Sequence, residues 1–177
     1  NSHHSGPLKH DIEPIAEAGL VAFSCVVSKA LMTSYKGKKK IFGTDPIAFA
    51  CPRTGKEPVV WDMSSSSMSF MEIEVASTKN EKIQPESAVD KNGNPTLDSV
   101  AAMDGGMLLP FAKHKGSAIA FMVELMAAGL TGGRFAFENS ISEDPDFAGA
   151  NRGQTIIAMD PKSLHGPGFI DRVDEFI

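Results

Sequence analysis

The sequence lacks any apolar stretch of the roughly 18 to 20 residues that a membrane-spanning helix needs. No signal-peptide pattern opens it either. It has only two cysteines, Cys25 and Cys51, each set in an apolar run, AFSCVVS and IAFACPR. That setting fits buried free thiols in a reducing compartment, and a cytoplasmic location is the expectation. Basic charge is not in excess: 17 Lys and Arg against 22 Asp and Glu leave a formal charge of −5. Such a balance disfavours nucleic acid as a partner, because a phosphate polyanion is held by a basic surface. The dinucleotide fingerprint GxGxxG is missing, as are the phosphate loop ending in GK[ST], HExxH, a paired CxxC and GxSxG. These gaps take most of the weight from the serine-hydrolase and metal-site readings and leave no Rossmann fingerprint. Internal repeats and low-complexity linkers are also absent. One domain over residues 1–177 is expected, long enough for a substantial core.

What is present alternates between helix and strand signals. HDIEPIAEAGL reads as a short helix that Gly19 stops in a left-handed turn. Val21 to Ser28, PIAFACP and PVVWD read as three strands. MEIEVASTKNEKI is taken as helix. Asn92-Gly93-Asn94-Pro95 marks a loop, and a short helix is expected from Leu97 to Met103. From Ser117 to Leu130, apolar residues cover nearly the whole circumference of a helix, so burial on most sides is expected. A polar loop, the strand QTIIAMD and a final helix IDRVDEFI complete the chain. Interleaved helices and strands with short connections imply an α/β fold, a mixed and largely antiparallel sheet covered by helices. The chain begins at Asn1 without an initiator Met and stops inside VDEFI. Both features lead to the expectation of an excerpt from a longer enzyme.

Three polar clusters stand at the ends of apolar elements. Asn1 to Pro7 (NSHHSGP) leads into the first helix, whose free N–H groups can hold a phosphate or carboxylate; adjacent loop histidines are otherwise simply solvated. Asp62 ends PVVWD before four serines; either it or one of the serines caps a helix, or Asp62 accepts from an amide or ribose hydroxyl or orients a catalytic histidine. Lys113-His114-Lys115-Gly116-Ser117 precedes the long apolar helix, where side-chain charge and macrodipole act together on an anion. The run KGKKK, Lys36 to Lys40, is either a solvated turn or a further contact for a small anion or cofactor phosphate.

NSHHSGPL, DIEPIAEAGLVAFS, FGTDPIAFACPR, VVWDMSSS, DKNGNPT, GGMLLPFAKHKGSAIAFMVELMAAGLTGG and FAFE together resemble the malate/L-lactate dehydrogenase family of the non-Rossmann type. NSHH, DIEPIAEAGLVA and LTGGRFAFE are most similar to its Δ1-piperideine-2-carboxylate/Δ1-pyrroline-2-carboxylate reductases. The resemblance implies an NAD(P)-binding domain of the sulfolactate dehydrogenase-like type, a small-molecule substrate, a homodimer with active sites near the subunit boundary, and NADPH as cofactor, with NADH possible. It implies cofactor contacts for His4, Ser5, Gly6, Pro7 and Leu8, for Asp62, Met63 and Ser64, and for His114 and Lys115. Thr44, Phe70 and Met71 fall on the substrate side, and Asp62 is given an orienting role in catalysis. The sequence departs from the family pattern at Ser5 (usually Phe), Asp45 (usually Asn), Phe70-Met71 (a His-Gly or Arg-Gly pair) and Ala112-Lys113 (Gly-Gly). The family's proton-donating histidine, with a serine and a substrate-binding arginine, belongs to an N-terminal helical segment ahead of the part matched here, and a further cofactor stretch to a later one. The expected reaction is hydride transfer from NADPH to a prochiral carbon beside a carboxylate, the C=N carbon of a cyclic imine. The rivals are a 2-hydroxy acid dehydrogenase of the same fold and a non-catalytic binding module derived from a reductase.

Overall fold

The computed structural model describes residues 6–139 and 151–177. Its first sheet is built from the longest apolar runs. Val21–Val26 (β1) lies between Ile47–Cys51 (β4) and Gln154–Met159 (β9), and Val59–Met63 (β5) flanks β4 on the far side. Every pairing in it is antiparallel, with Ala22 opposite Ala50 and Ala158. β1 is buried at all but one residue, which is why its sequence is continuously apolar and does not alternate.

A second sheet, not anticipated from the sequence, joins Met32–Thr33 (β2), Lys40–Phe42 (β3), Ala88–Val89 (β6), Pro95–Thr96 (β7) and Met107–Leu108 (β8) in the order β3-β2-β8-β6-β7. The pair β2–β8 is parallel and the others are antiparallel. The fold is therefore mixed and largely antiparallel, as expected, but split between two sheets. Strands this short carry no readable periodicity; pairing partners distant in sequence define them.

Lys9–Glu17 (α1) covers the first sheet. Leu8, Ile12 and Ala16 are sealed against Ala22, Val26 and Ala48, and complete burial of Leu8 and Ile12 contributes roughly 1.5 to 3 kcal/mol each. Gly19 ends the helix at φ +86°, as its position predicts. Phe70–Thr78 (α2) starts with a capping box between Ser69 and Glu72 and packs with Ser99–Met103 (α3) on the second sheet. His114–Val123 (α4) continues as a π-helical stretch, Glu124–Gly129. Ala136–Asn139 (α5), Pro161–His165 (α6) and Phe169–Phe176 (α7) complete the described elements.

The α4 helix corrects an expectation. It is buried on one side only, through Gly116, Ala120, Val123 and Ala127, while Phe121 is 57% exposed and Leu125 46%. Gly116, Ala120 and Ala127 let the helix backbone lie close to its neighbours, Val123, Ile119 and Met126 pack into the core, and Phe121, Met122 and Leu125 face out. Cys25 and Cys51 are free and buried, and burial pushes the Cys25 thiol up to about 11, which makes it a poor nucleophile. Among the described residues no helix is long and apolar enough to cross a membrane.

Candidate functional site

Asp62 lies one residue from the end of β5. Its Oδ2 accepts a hydrogen bond from the Lys9 amide at 3.1 Å. Leu8, at the cap position of α1, supplies no side-chain cap, so a carboxylate from another strand does so. The next two amides, of His10 and Asp11, donate to Pro7 and Leu8 carbonyls. The start of α1 is thus filled by the protein's own anion, and the amide cradle expected there is already satisfied. Gly6, at φ +63°, and Pro7 stand exposed beside it. The Leu8 side chain is fully buried in the core, which leaves only its backbone for a ligand. His4 and Ser5 lie outside the described residues.

The serines after β5 tie this corner to two others. The Ser65 amide donates to the Thr44 carbonyl at 2.7 Å, and its hydroxyl donates to the Asp45 carbonyl at 2.7 Å. The Phe111 amide donates to the Ser65 carbonyl at 3.0 Å, and the Ser67 amide to Leu109 at 2.9 Å. Ser64 Oγ accepts from Ser66 Oγ at 3.0 Å, and the Thr44 amide donates to Ser28 Oγ at 2.9 Å. Segments around residues 8, 44, 62–67 and 111–116 therefore meet through one loop. Met63 is partly exposed at the mouth of that loop. Phe70 and Met71 open α2 nearby. Phe70 packs into the core cluster of Met32 and Ile73, whereas Met71 is 62% exposed.

At the entry to α4, a Cβ on Gly116 would come within 2.8 Å of the Ser65 carbonyl and the Phe111 amide, and would also press on the Phe111 carbonyl. The glycine of this motif serves close approach of the helix to the serine loop; it is not a flexible hinge. The Lys115 and Gly116 amides donate to the Ala112 and Phe111 carbonyls at 3.2 and 3.0 Å, so these two amides are also unavailable to an anion. Positive charge at this end comes from the exposed side chains of Lys113 and Lys115, with His114 exposed between them, reinforced by the helix dipole. The KGKKK run is held alongside. The Tyr35 amide donates to Ser117 Oγ at 2.7 Å, and the Tyr35 ring lies 6.4 Å from that of His114. A cavity of about 360 Å³ opens here, lined by Ser67 and Lys113 but by neither Asp62 nor Thr44. A larger one, about 630 Å³, lies away from these residues between Val21, Met159 and α7.

Two buried acids escaped the sequence reading. Asp45 is fully buried and accepts from the Ser28 amide at 3.3 Å through Oδ1, while its Oδ2 has no hydrogen-bond partner among the described residues. Burial, and then the charge of Glu124, hold its carboxyl well above the usual range. Glu124, inside the π-helical stretch, accepts from the Ala136 amide at 3.0 Å; burial pushes it up to about 7 against that hydrogen bond. Asp45 could have been suspected, since it stands where the resembling family has Asn. Glu124 could not, because nothing in an apolar helix marks which face a single acid takes.

Comparison with known proteins fits this geometry. The family model described as malate/L-lactate dehydrogenase matches residues 1–177. The chain is 43% identical, over 99% of its length and 51% of the relative's, to the Δ1-pyrroline-2-carboxylate/Δ1-piperideine-2-carboxylate reductase of Pseudomonas syringae pv. tomato. It is 36% identical, over 98% of its length and 51% of the relative's, to the (2R)-3-sulfolactate dehydrogenase (NADP(+)) of Chromohalobacter salexigens. The crystal structure of Δ1-piperideine-2-carboxylate reductase from Pseudomonas syringae superposes with a TM-score of 0.92 at 43% identity, covering 99% of this chain and 53% of that one. The chain spans about half the length of the curated relatives it matches. Full-length match, fold and relatives agree: the chain belongs to the malate/L-lactate dehydrogenase family.

Proposed function

We propose that this chain is the cofactor-binding core of an NADPH-dependent reductase of cyclic imino acids, converting Δ1-piperideine-2-carboxylate or Δ1-pyrroline-2-carboxylate to pipecolate or proline. The observation that carries this reading is the meeting of the α1 start, Asp62, Thr44 and the α4 entry through the Ser64–Ser67 loop, in a chain whose relatives bear that reductase name. The donor set fits a phosphate-bearing cofactor: His114 and Lys115 stand exposed at the positive end of α4, where dipole and side-chain charge favour an anion. When bound, the nicotinamide supplies the hydride. The chain's own residues orient and hold. Asp62, fixed by the Lys9 amide, retains lone pairs to accept from an amide or hydroxyl. Thr44, its Oγ1 3.4 Å from Ser28 Oγ, offers a hydroxyl toward the substrate carboxylate. His114 and Lys115 hold phosphate. With Phe70 packed into the core, the exposed Met71 makes the substrate side less polar than a His-Gly or Arg-Gly pair would, which suits an alicyclic ring. A cytoplasmic homodimer with sites near the subunit boundary belongs to the same proposal.

The test is NADPH consumption by the purified protein with Δ1-piperideine-2-carboxylate compared with pyruvate and oxaloacetate. Imine-dependent consumption that exceeds the 2-oxo acid rates is expected. Faster turnover of a 2-oxo acid would transfer the proposal to a 2-hydroxy acid dehydrogenase, the second reading, which the 36% identity to a sulfolactate dehydrogenase favours.

A further inference from the structure

The basic run Lys36 to Lys40 and the basic entry to α4 are about 75 residues apart in the sequence yet border one cavity. Its volume, about 360 Å³, lies in the roughly 300 to 1,000 Å³ range of small-ligand pockets. Val89, Pro95, Leu109 and Pro110 give it apolar walls, and Lys36, Lys38 and Lys113 stand on its rim. Glu86 is the one acid in the lining, and it sits 3.5 Å from Lys113 Nζ. Lys36 Nζ lies 5.5 Å from the centroid of the Tyr35 ring, which also belongs to the lining.

The backbone is unusual here. Six non-glycine residues among those described have positive φ, and four of them, Lys36, Glu86, Ala112 and Lys113, line this cavity. Lys113 combines φ +61° with ψ −116°, a region that only glycine enters readily. Left-handed backbone costs free energy, and it collects where the surroundings hold a functional geometry. Behind the wall, Thr33 Oγ1 is buried without a hydrogen-bond partner among the described residues, 2.6 Å from where a Gly37 Cβ would lie. With the Lys115 and Gly116 amides of α4 turned to the Ala112 and Phe111 carbonyls, the lysine side chains that line the cavity are the cationic groups it offers to an anion. Apolar walls with a cationic rim suit a planar ring that carries a phosphate better than they suit a bare inorganic ion.

We infer that this cavity receives the phosphoadenosine end of the cofactor, with the adenine between the apolar walls and the 2′-phosphate on Lys36, Lys38 and Lys113. The inference rests on the cofactor reading above and deepens it, since it makes these lysines the determinants of NADPH over NADH. The test is calorimetric titration of the chain with adenosine 2′,5′-bisphosphate and, as a control of equal phosphate number, adenosine 5′-diphosphate. The 2′-phosphorylated ligand should bind about tenfold tighter or better, the scale of a charged hydrogen bond. The double variant Lys36→Ala/Lys38→Ala should lose that preference while keeping its affinity for adenosine 5′-diphosphate, and Lys113→Gly should weaken it in part. Equal binding of the two ligands by the parent chain, or a preference that survives the double variant, overturns the inference. Failure of the proposed function reads differently. Preferential 2′-phosphate binding with no imine-dependent NADPH consumption removes the substrate assignment alone; imine reduction equally fast with NADPH and NADH removes the lysine assignment alone.

Discussion

The starts of α1 and α4 make an instructive pair. Both are preceded by residues that read as an anion cradle; α1 meets Asp62 on β5, and the entry to α4 meets Ser65 just after it. At α1 the position is taken by Asp62, whose carboxylate meets the Lys9 amide at 3.1 Å. At α4 no side chain caps the helix; Lys113 stands at the cap position with its Nζ 3.5 Å from Glu86, and Lys113, His114 and Lys115 are exposed. One helix start has been neutralised for stability, and the other keeps its positive charge at a cost in backbone strain. A basic helix start is open to a ligand only where the fold has not already supplied the anion.

The largest expected effect comes from closing the gap between α4 and the loop. Gly116→Val should destabilise the fold by about 3 kcal/mol or more, since its new atoms meet backbone that cannot step aside, read as a lower urea midpoint. Next, Lys115→Ala in the intact enzyme should weaken NADPH binding by about 1 to 3 kcal/mol with the fold unchanged; equal affinity in parent and variant would remove Lys115 from the site. Asp62→Ala should cost about 1 kcal/mol through loss of the cap, whereas Asp62→Asn should keep most of that stability. If Asp62→Asn also keeps full NADPH affinity, Asp62 is a cap and nothing more. Lys113→Gly should stabilise the chain by about 1 kcal/mol through relief of the left-handed backbone, so a lower melting temperature in that variant would contradict the strain argument.

The buried acids give a pH dependence with a definite sign. Glu124 keeps its proton to about 7 in the folded chain, against a reference value of 4.5. Between those values the folded state binds more protons than the unfolded one, so stability falls as pH rises through the window and levels off above it. Asp45, also raised, acts in the same direction. Glu124→Gln should flatten the decline in melting temperature across that range; an undiminished slope would place the proton elsewhere.

Legibility followed the length of the apolar signal. β1 and β4 were readable because five or six consecutive residues fill a sheet interior, and the edge strands β5 and β9 because five or six residues rich in apolar and β-branched side chains stand together. β2, β6, β7 and β8 have two residues each and exist only through partners such as Leu108 opposite Met32. The three site clusters were visible as polar residues at the ends of apolar runs. That the α1 cradle was already filled was not visible, because its anion comes from 53 residues away. Nor did periodicity reveal the inward face of α4, where alanine, glycine and Val123 are buried while Phe121, Met122 and Leu125 turn outward. For KGKKK the sequence left a solvated turn and an anion contact both open, and only the bond from the Tyr35 amide to Ser117 sets that run beside the second basic segment.

If these elements hold a reduced nicotinamide dinucleotide, Trp61 will report its arrival. It is the single tryptophan and stands next to Asp62 on β5. Titration with NADPH should quench Trp61 emission and sensitise emission from the cofactor in a saturable way, with a higher midpoint in Lys115→Ala. Tryptophan emission that stays constant up to millimolar NADPH would contradict the account.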